Sequence, residues 1–390
     1  MRILTFTNLY PNTSQPRHGI FIEQRLKRLL ASGQLDARVV APVPWFPLPG
    51  RLFGTWGECA EIPRAETLNG IEVYHPRYPV IPKVGMSVAP LLMAGAVKAS
   101  IQRLCANDYD FDIIDAHYFY PDGVAAVLLG RWLHKPVVIS ARGTDINLLP
   151  DYAVPRRWIR WAAAECDAII TVSHALKDRL KELGTPADKV TVLRNGVDLE
   201  LFRPLERQVV REQLGVAGTL LLSVGNLIEQ KGHDIAIRAL AGIPGTELIV
   251  IGRGSMARAL RELAASLGVS ERVRFIDNLS QVELVRYYNA ADALVLASVS
   301  EGMPNVVLEA IACGTPVVAT ATGGATEIIT CPAAGELMHE RQASALVDSF
   351  TRLLERSLDR AATRRHAEKF GWDDIVRDQL ELYATVTARV

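Results

Sequence analysis

The amino-acid sequence predicts an α/β protein made of two doubly wound parallel-sheet domains. Three observations carry that expectation. Short Val-, Ile- and Leu-rich runs alternate with helical patterns along most of the 390 residues. The runs are continuously apolar, as suits parallel strands covered on both faces, and strand–helix alternation folds into right-handed β-α-β units. The pattern also starts afresh near residues 200–208, where Leu199–Pro204 closes one series and Leu220–Val224 opens another. The expected division is therefore residues 1–205, residues 206–371, and a final amphipathic helix over 372–390 that packs back across the first domain.

In chain order, strands are expected at Arg2–Thr7, Ala37–Ala41, Ile113–Ala116, Val137–Ala141, Ala168–Val172 and Val190–Leu193. In the second half they are expected at Leu220–Val224, Leu248–Ile251, Val273–Ile276, Ala293–Ala297 and Val317–Ala319. Each run is bounded by Gly, Pro, Asp or Asn. A first helix is expected over Phe21–Leu30. Residues 42–57 differ: prolines there oppose a regular helix, and the segment carries Trp45, Phe46, Leu48, Leu52, Phe53 and Trp56. Aromatics in such a loop are more often buried than exposed, so packing under the domain is expected over an exposed lip.

At 49% hydrophobic and 22% charged, the chain can bury two cores of ordinary size. It has no uncharged apolar stretch of about 18 residues, the length a membrane span needs; the run Pro90–Val97 is short and ends at Lys98. Met1–Phe6 reads as a strand rather than a signal peptide, so export is not expected. Five cysteines, Cys59, Cys105, Cys166, Cys313 and Cys331, are widely spaced without a C-x-x-C. They suggest neither a disulfide framework nor a zinc site and fit a reducing cytoplasm. Residues 1–107 hold twelve basic and six acidic side chains, and the rest 31 and 37. The basic first region is ordinary solvated surface or a face for an anionic membrane or acceptor. No nucleic-acid-binding pattern is present.

The sharpest motif is Glu301-Gly302-Met303-Pro304-Asn305-Val306-Val307-Leu308-Glu309, which follows an expected strand and opens a helix. Gly302 permits an unusual turn and Pro304 suits a first helical turn. The amides of Asn305, Val306 and Val307 then emerge at a helix end that attracts phosphate or sugar hydroxyls. Glu301 in the loop and Glu309 about one turn in are placed to hold a sugar and a ribose; taken singly, they would be a capping carboxylate and an exposed helix acid. Ser223–Gly232 follows the first strand of the second half. There Gly225 turns the chain, and Lys231 offers a point charge for a diphosphate, or is a plain surface lysine. Gly19 lies between the first strand and the first helix, either as a turn glycine or as a close approach for phosphate. His117 and Arg142-Gly143-Thr144-Asp145 end two neighbouring strands at the same sheet edge, where open α/β sheets bind ligands. His117 could hydrogen-bond a sugar; Arg142 and Asp145 are acceptor-side candidates or simply a pair. Gly252-Arg253-Gly254-Ser255-Met256-Ala257 with Asp277 imitates a dinucleotide fingerprint but equally suits a turn lining a nucleotide pocket. Arg156-Arg157-Trp158-Ile159-Arg160-Trp161 reads as a solvated helix face with two half-buried tryptophans, or as a membrane or phosphate contact.

These blocks together resemble the family-4 retaining glycosyltransferases of GT-B fold, in which two Rossmann-like domains face each other across a cleft. The resemblance covers nearly the whole chain. It runs through Gly19, Asp115-Ala116-His117, Thr171-Val172-Ser173, Arg194-Asn195-Gly196-Val197-Asp198 with Phe202 and Pro204, and Gly225 with Lys231-Gly232. It ends with Glu301–Glu309 and Gly323-Gly324-Ala325-Thr326-Glu327. It implies that the first domain binds the acceptor and the second the nucleotide-sugar. Lys231 would bind the diphosphate, Glu309 the ribose, and Glu301 with the following amides the donor sugar. Gly19 would approach the diphosphate and His117 the sugar being transferred, and Gly225, Asn226 and Gly254 would line the donor site. The chain departs from the family at Asn226, usually Arg, at Arg142, often His, and at Thr326, frequently Pro; Arg253 is a candidate for the missing charge.

The resemblance implies retaining transfer of a hexose from a nucleotide-sugar, as a family-level reading UDP-linked, with the leaving phosphate taking the acceptor proton. No metal and no cofactor beyond that co-substrate is expected. The aromatic loop and basic first region suit a glycan or lipid-linked acceptor of bacterial surface polysaccharide, met in the cytoplasm at the inner membrane face, with an anionic membrane as a further partner. A nucleotide-sugar epimerase of the same fold, an NAD-dependent oxidoreductase built on Gly252–Ala257, and a non-catalytic sugar-binding relative are the competing readings.

Overall fold

The computed structural model describes residues 1–46, 55–80, 85–107, 109–356 and 359–389. It divides into two compact units: Met1–Arg194 with Asp373–Val390, and Asn195–Trp372.

The strands of the first unit are β1 (Arg2–Phe6), β2 (Asp36–Val40), β3 (Val43–Pro44), β4 (Ala65–Leu68), β5 (Ile71–Tyr74), β6 (Arg77–Tyr78), β7 (Ile113–His117), β8 (Val137–Ala141), β9 (Ala168–Thr171) and β10 (Val190–Val192). Among the described residues, eight form one sheet in the order β10-β9-β8-β7-β1-β2-β5-β4, and β3 pairs with β6 apart from it. The second unit contributes β11 (Thr219–Val224), β12 (Thr246–Ile251), β13 (Val273–Ile276), β14 (Ala293–Leu296), β15 (Val317–Thr320) and β16 (Gly335–Met338), ordered β13-β12-β11-β14-β15-β16. The pairings of this second sheet are all parallel. Every strand read from the sequence is present, with ends shifted by a residue or two. β7 and β8 are buried along their whole length, the signature of strands covered on both faces.

The first sheet is not wholly parallel, because β4 pairs antiparallel with β5, Leu68 opposite Ile71. The turn is Asn69-Gly70, with φ of 52° and 81°, the positive-φ pair that closes a tight hairpin. Ile71 and Val73 are buried while Glu72 is exposed, so this edge follows the two-residue alternation rather than a continuous apolar run. β16 was also absent from the sequence reading: it opens on Gly335, φ 142°, where an added Cβ would lie 1.8 Å from the Val317 carbonyl oxygen.

Order reverses between β7 and β1 in the first unit, and between β11 and β14 in the second. Ligands of open α/β sheets gather at the carboxyl ends of strands at such switch points. Each unit has its own core. In the first, Ile3, Ile22, Val39, Ile113, Val138 and Ile170 pack with Leu380, Tyr383 and Val386 of the C-terminal helix Asp373–Thr387. In the second, Leu221, Ile237, Leu248, Val295, Val318 and Phe350 form the centre.

The division at Arg194 precedes the expected boundary at residue 205. The intervening segment is tied into the second unit: Val197 N–H donates to the Phe370 carbonyl at 2.9 Å, and Arg364 donates to the Leu199 and Phe202 carbonyls. Gly196 lies against the Trp372 ring, 2.5 Å from where its Cβ would stand. In the aromatic segment, Trp45 and Trp56 are 55% and 40% exposed, so the expected packing does not hold for these two. Phe46 is half-buried with its ring 6.1 Å from that of Trp56; Leu48, Leu52 and Phe53 lie outside the described residues. Helix begins again at Thr55. Gly85–Ala106 is a helix that spans the apolar run and carries Pro90 inside it. Among the described residues, no helix is long and apolar enough to cross a membrane.

Gly335→Ala sets a Cβ against backbone at a positive φ, and we expect it to cost about 2–3 kcal/mol. Gly33→Ala also sits at a positive φ, 69° against 142°, but with nothing within 4 Å, and should cost only about 1 kcal/mol. Urea midpoints of the two variants check this; equal losses would contradict the packing argument.

Candidate functional site

In the second unit, the loops leaving β11 and β14 meet at the switch point. Lys231 ends a short 3-10 turn, Glu229–Lys231, after β11. Glu301 lies in the loop after β14. Lys231 Nζ donates to Glu301 Oε1 at 2.7 Å, with the two side chains 28% and 11% exposed. Backbone fixes this meeting. Gly232, φ 68°, sits so close to β14 that a Cβ would stand 2.1 Å from the Ala297 carbonyl oxygen, and Gly323, φ 49°, is equally tight on the Glu301 carbonyl at 1.9 Å. Arg341 donates to both the Ala297 and Glu229 carbonyls, at 2.7 and 2.9 Å, and Val299 N–H donates to the Gln230 carbonyl.

The helix Asn305–Ala312 opens beside Glu301. Its N-cap is Pro304 and no side chain caps it, so Glu301 is not a capping carboxylate. The Val307 amide donates to the Pro304 carbonyl at 3.1 Å, which removes it from the expected trio of free donors. Asn305 and Val306 keep first-turn positions without an intrahelical acceptor. Asn195 holds this end, donating to Asn305 Oδ1 at 2.9 Å and to the Met303 carbonyl. Gly302 and Met303 are buried beneath it, and Gly324 N–H donates to the Gly302 carbonyl.

Glu309 is 8% exposed, not the exposed helix acid of the plain reading. Its Oε2 accepts from the Tyr288 hydroxyl at 2.7 Å and its Oε1 from Gln281 at 3.2 Å. Burial, then the Glu309 carboxylate, pushes the Tyr288 phenol well up, so it stays a donor.

Gly225 has φ 154° and its amide donates to the Ile251 carbonyl. Asn226 is exposed, and its carbonyl accepts from the His233 ring at 3.2 Å. His233 is buried, with Nδ1 at 2.8 Å from Ser223 Oγ; burial lowers its pKa to about 4. The dinucleotide-like glycines serve packing: a Cβ on Gly252 would meet the Gly225 carbonyl at 1.9 Å, and one on Gly254 the Leu227 carbonyl at 2.3 Å. Arg253, the candidate replacement charge, pairs with Asp277 at 2.8 Å, both largely exposed.

In the first unit, Gly19 has φ 68° and lies where a Cβ would be 2.1 Å from the Leu9 carbonyl oxygen. It is the N-cap of the helix Ile20–Ala31, so the turn needs glycine irrespective of any ligand. His117 ends β7 and is 2% exposed. Arg142 Nη2 donates to its Nδ1 at 2.5 Å, and its Nε2 lies 2.9 Å from Asp115 Oδ2. Arginine only donates, so Nδ1 is the bare nitrogen and Nε2 carries the proton. Burial lowers the His117 pKa to about 4, against the pull of Asp115. The Arg142 backbone amide donates to the Asp145 carboxylate. The fully buried Asp145 carboxylate accepts from the backbone amides of Phe119, Arg142 and Gly143 at 2.8 to 3.1 Å. Arg156, Arg157 and Arg160 are exposed, while Trp158 and Trp161 are half-buried and meet edge to face at 5.4 Å. Among the described residues, no group of three or more His, Cys, Asp or Glu side chains could hold a metal ion.

Tyr288, Gln281, Arg341 and His233 escaped the sequence reading, and Asn195 entered it only within the Arg194–Asp198 block of the resemblance. Only His233, directly after Lys231-Gly232, had a local signal.

Both buried imidazoles have folded-state pKa values below the ordinary 6.5. The unfolded chain therefore takes up protons that the folded one refuses, and stability falls as pH drops from about 6.5 towards 4. The loss is at most roughly 3 kcal/mol per ring, complete only near pH 4. Thermal melts should show a lower Tm at pH 5 than at pH 7, with a shallower slope in His233→Gln; an unchanged slope in that variant would contradict the neutral-ring assignment.

Two family profiles match the chain: Glycosyl transferases group 1 over residues 207–370 and Glycosyltransferase Family 4 over residues 55–201. A protein of Bacillus subtilis strain 168, provisionally named as a teichuronic acid biosynthesis glycosyltransferase, is 29% identical over 90% of this chain and 89% of its own. The D-inositol 3-phosphate glycosyltransferase of Acidothermus cellulolyticus is 31% identical over 71% of this chain and 68% of its own. The solved structure of Anabaena HepE with UDP and glucose superimposes at a TM-score of 0.76, with 20% identity, covering 99% of this chain and 100% of that one. The chain thus belongs to the group 1, family 4 glycosyltransferases and has the GT-B fold of two Rossmann-like units.

Proposed function

We propose that this glycosyltransferase moves a hexose from a UDP-sugar to a glycan or lipid-linked acceptor, with retention and without a metal ion. The observation that carries the reading is the Lys231–Glu301 pair, 2.7 Å long, beside the open end of the Asn305 helix and the buried Glu309. Breaking the donor's sugar–phosphate bond builds negative charge on the departing diphosphate and positive charge on the sugar. Lys231 and the amides of Asn305 and Val306 neutralise the first. Glu301, freed from Lys231 by the incoming diphosphate, takes the donor sugar's hydroxyls. Glu309 takes the ribose hydroxyls.

Gly19 and His117 contribute from the first unit, to the diphosphate and to the transferred sugar. Arg142 serves the acceptor side, and Asp145 shapes the loop that presents it. The acceptor hydroxyl attacks the anomeric carbon from the face that the leaving group vacates, and its proton passes to the departing phosphate oxygen. The positive charge that the step needs comes from Lys231 and helix amides, so no metal is required. UDP and glucose in the similar HepE structure support the donor class. The naming of the Bacillus relative supports a surface polysaccharide. Exposed Trp45, Trp56, Arg156, Arg157 and Arg160 support a lipid-linked acceptor or an anionic membrane face, met on the cytoplasmic side.

Thermal-shift screening of UDP-, GDP- and ADP-sugars should find the largest stabilisation with a UDP-sugar. With that donor, Lys231→Ala should lower kcat/KM about 100- to 1,000-fold, and Glu309→Ala should raise the donor KM at least about tenfold. EDTA should leave the rate unchanged, and NMR of the product should show the donor's anomeric configuration. Wild-type kinetics in both variants would refute the site, an inverted product the retention, and donor isomerisation without acceptor would favour an epimerase.

A further inference from the structure

Arg341 lies in the four-residue connection between β16 and the helix Ala343–Glu355. Both neighbours are anchored. β16 runs in register along β15, with the Ala321 amide donating to the Met338 carbonyl, and Leu346, Phe350 and Leu353 of the helix are fully buried. From there the side chain reaches the loops after β14 and β11, strands two and three places away in the sheet. Its Nε donates to the Ala297 carbonyl at 2.7 Å and its Nη2 to the Glu229 carbonyl at 2.9 Å. The Glu229 carbonyl also accepts from the Gly232 amide, at 3.2 Å, and so closes the turn that ends in Lys231. The Ala297 carbonyl is the group that Gly232 presses on, 2.1 Å from where its Cβ would stand. One guanidinium therefore grips the acceptors on both sides of Gly232, the residue next to Lys231. A planar fork with fixed N–H directions suits two acceptors at a set spacing, which a lysine's single nitrogen does not. Its charge strengthens both bonds.

We propose that Arg341 is a positioning residue for Lys231: by gripping the two carbonyls that enclose Gly232, it keeps the lysine in place once the contact with Glu301 opens to a diphosphate. Before a donor arrives, Lys231 Nζ is also held by Glu301. When that contact is exchanged, the two loops keep the Arg341 fork and the bond from the Val299 amide to the Gln230 carbonyl, at 2.8 Å. Val299 is 52% exposed, so water competes for its bond and the bond alone is weak. Without the fork, the Glu229–Lys231 turn can lift from the β14 loop. The ammonium then loses the fixed distance to the diphosphate on which charge neutralisation depends.

This role rests on Lys231 meeting the donor diphosphate, but the clamp itself can be read without any donor. In the full chain alone, backbone amide exchange at Val299 should quicken at least about tenfold in Arg341→Lys and in Arg341→Gln, while Leu222 inside β11 keeps its wild-type rate. Arg352→Lys, which alters an ion pair with Glu336 on the following helix, should move neither amide. In calorimetric titrations with UDP as the probe, Lys231→Ala and Arg341→Lys should each weaken binding about tenfold. The double variant should bind no more weakly than Lys231→Ala alone, because Arg341 acts through that lysine. Lysine at 341 would preserve a role exerted by charge through space, and a merely structural arginine would add its loss to that of Lys231→Ala. Wild-type Val299 exchange in Arg341→Lys, wild-type UDP affinity in that variant beside a weakened Lys231→Ala, or additive losses in the double variant would overturn the inference alone. Wild-type UDP affinity in Lys231→Ala would sink the reading of the site together with it.

Discussion

An ammonium and a carboxylate held 2.7 Å apart at the carboxyl edge of a parallel sheet organise the second unit. Neither Lys231 nor Glu301 belongs to a strand or a long helix; their loops are 70 residues apart in sequence and meet because β11 and β14 are neighbours at the switch point. The pair is partly exposed, so it is worth at most about 1 kcal/mol and yields readily to a ligand of greater charge. Its value lies in where it keeps the lysine: at the sheet edge with its charge balanced, ready in the proposed function for an anionic diphosphate to displace Glu301.

Much of the surrounding structure serves to hold those two loops. Gly232 and Gly323 let backbone press on backbone at spacings no Cβ would allow. Arg341 ties Ala297 to Glu229, and Asn195 fixes the open end of the Asn305 helix. Tyr288 and Gln281 hold Glu309 from behind, so its buried carboxyl group is fixed in place. The first unit follows the same logic around a different group. There, a neutral imidazole is oriented by an arginine on one nitrogen and an aspartate on the other, while Asp145 gathers three amides to shape the adjoining loop.

The strands were legible because burial on both faces demands unbroken apolar runs, as in β7 and β8. The Asn69-Gly70 hairpin was equally written in the chain, but its two-residue alternation belongs to an edge and not to the doubly covered pattern being read. Lys231, Glu301 and Glu309 could be named because each sits next to a strand end or helix start visible in sequence. Tyr288 and Arg341 could not: nothing local marks a side chain whose meaning comes from a partner reached only after folding. The Val307 amide and the exposed Trp45 show the reverse, local rules overruled by a tightened helix turn and by a loop that leaves rings in water.

A crystal structure with UDP bound tests the central claim most directly. The account requires Lys231 Nζ to leave Glu301 and lie within about 3 Å of a diphosphate oxygen, with the ribose hydroxyls on Glu309. UDP seated elsewhere, with the Lys231–Glu301 contact intact, would contradict it.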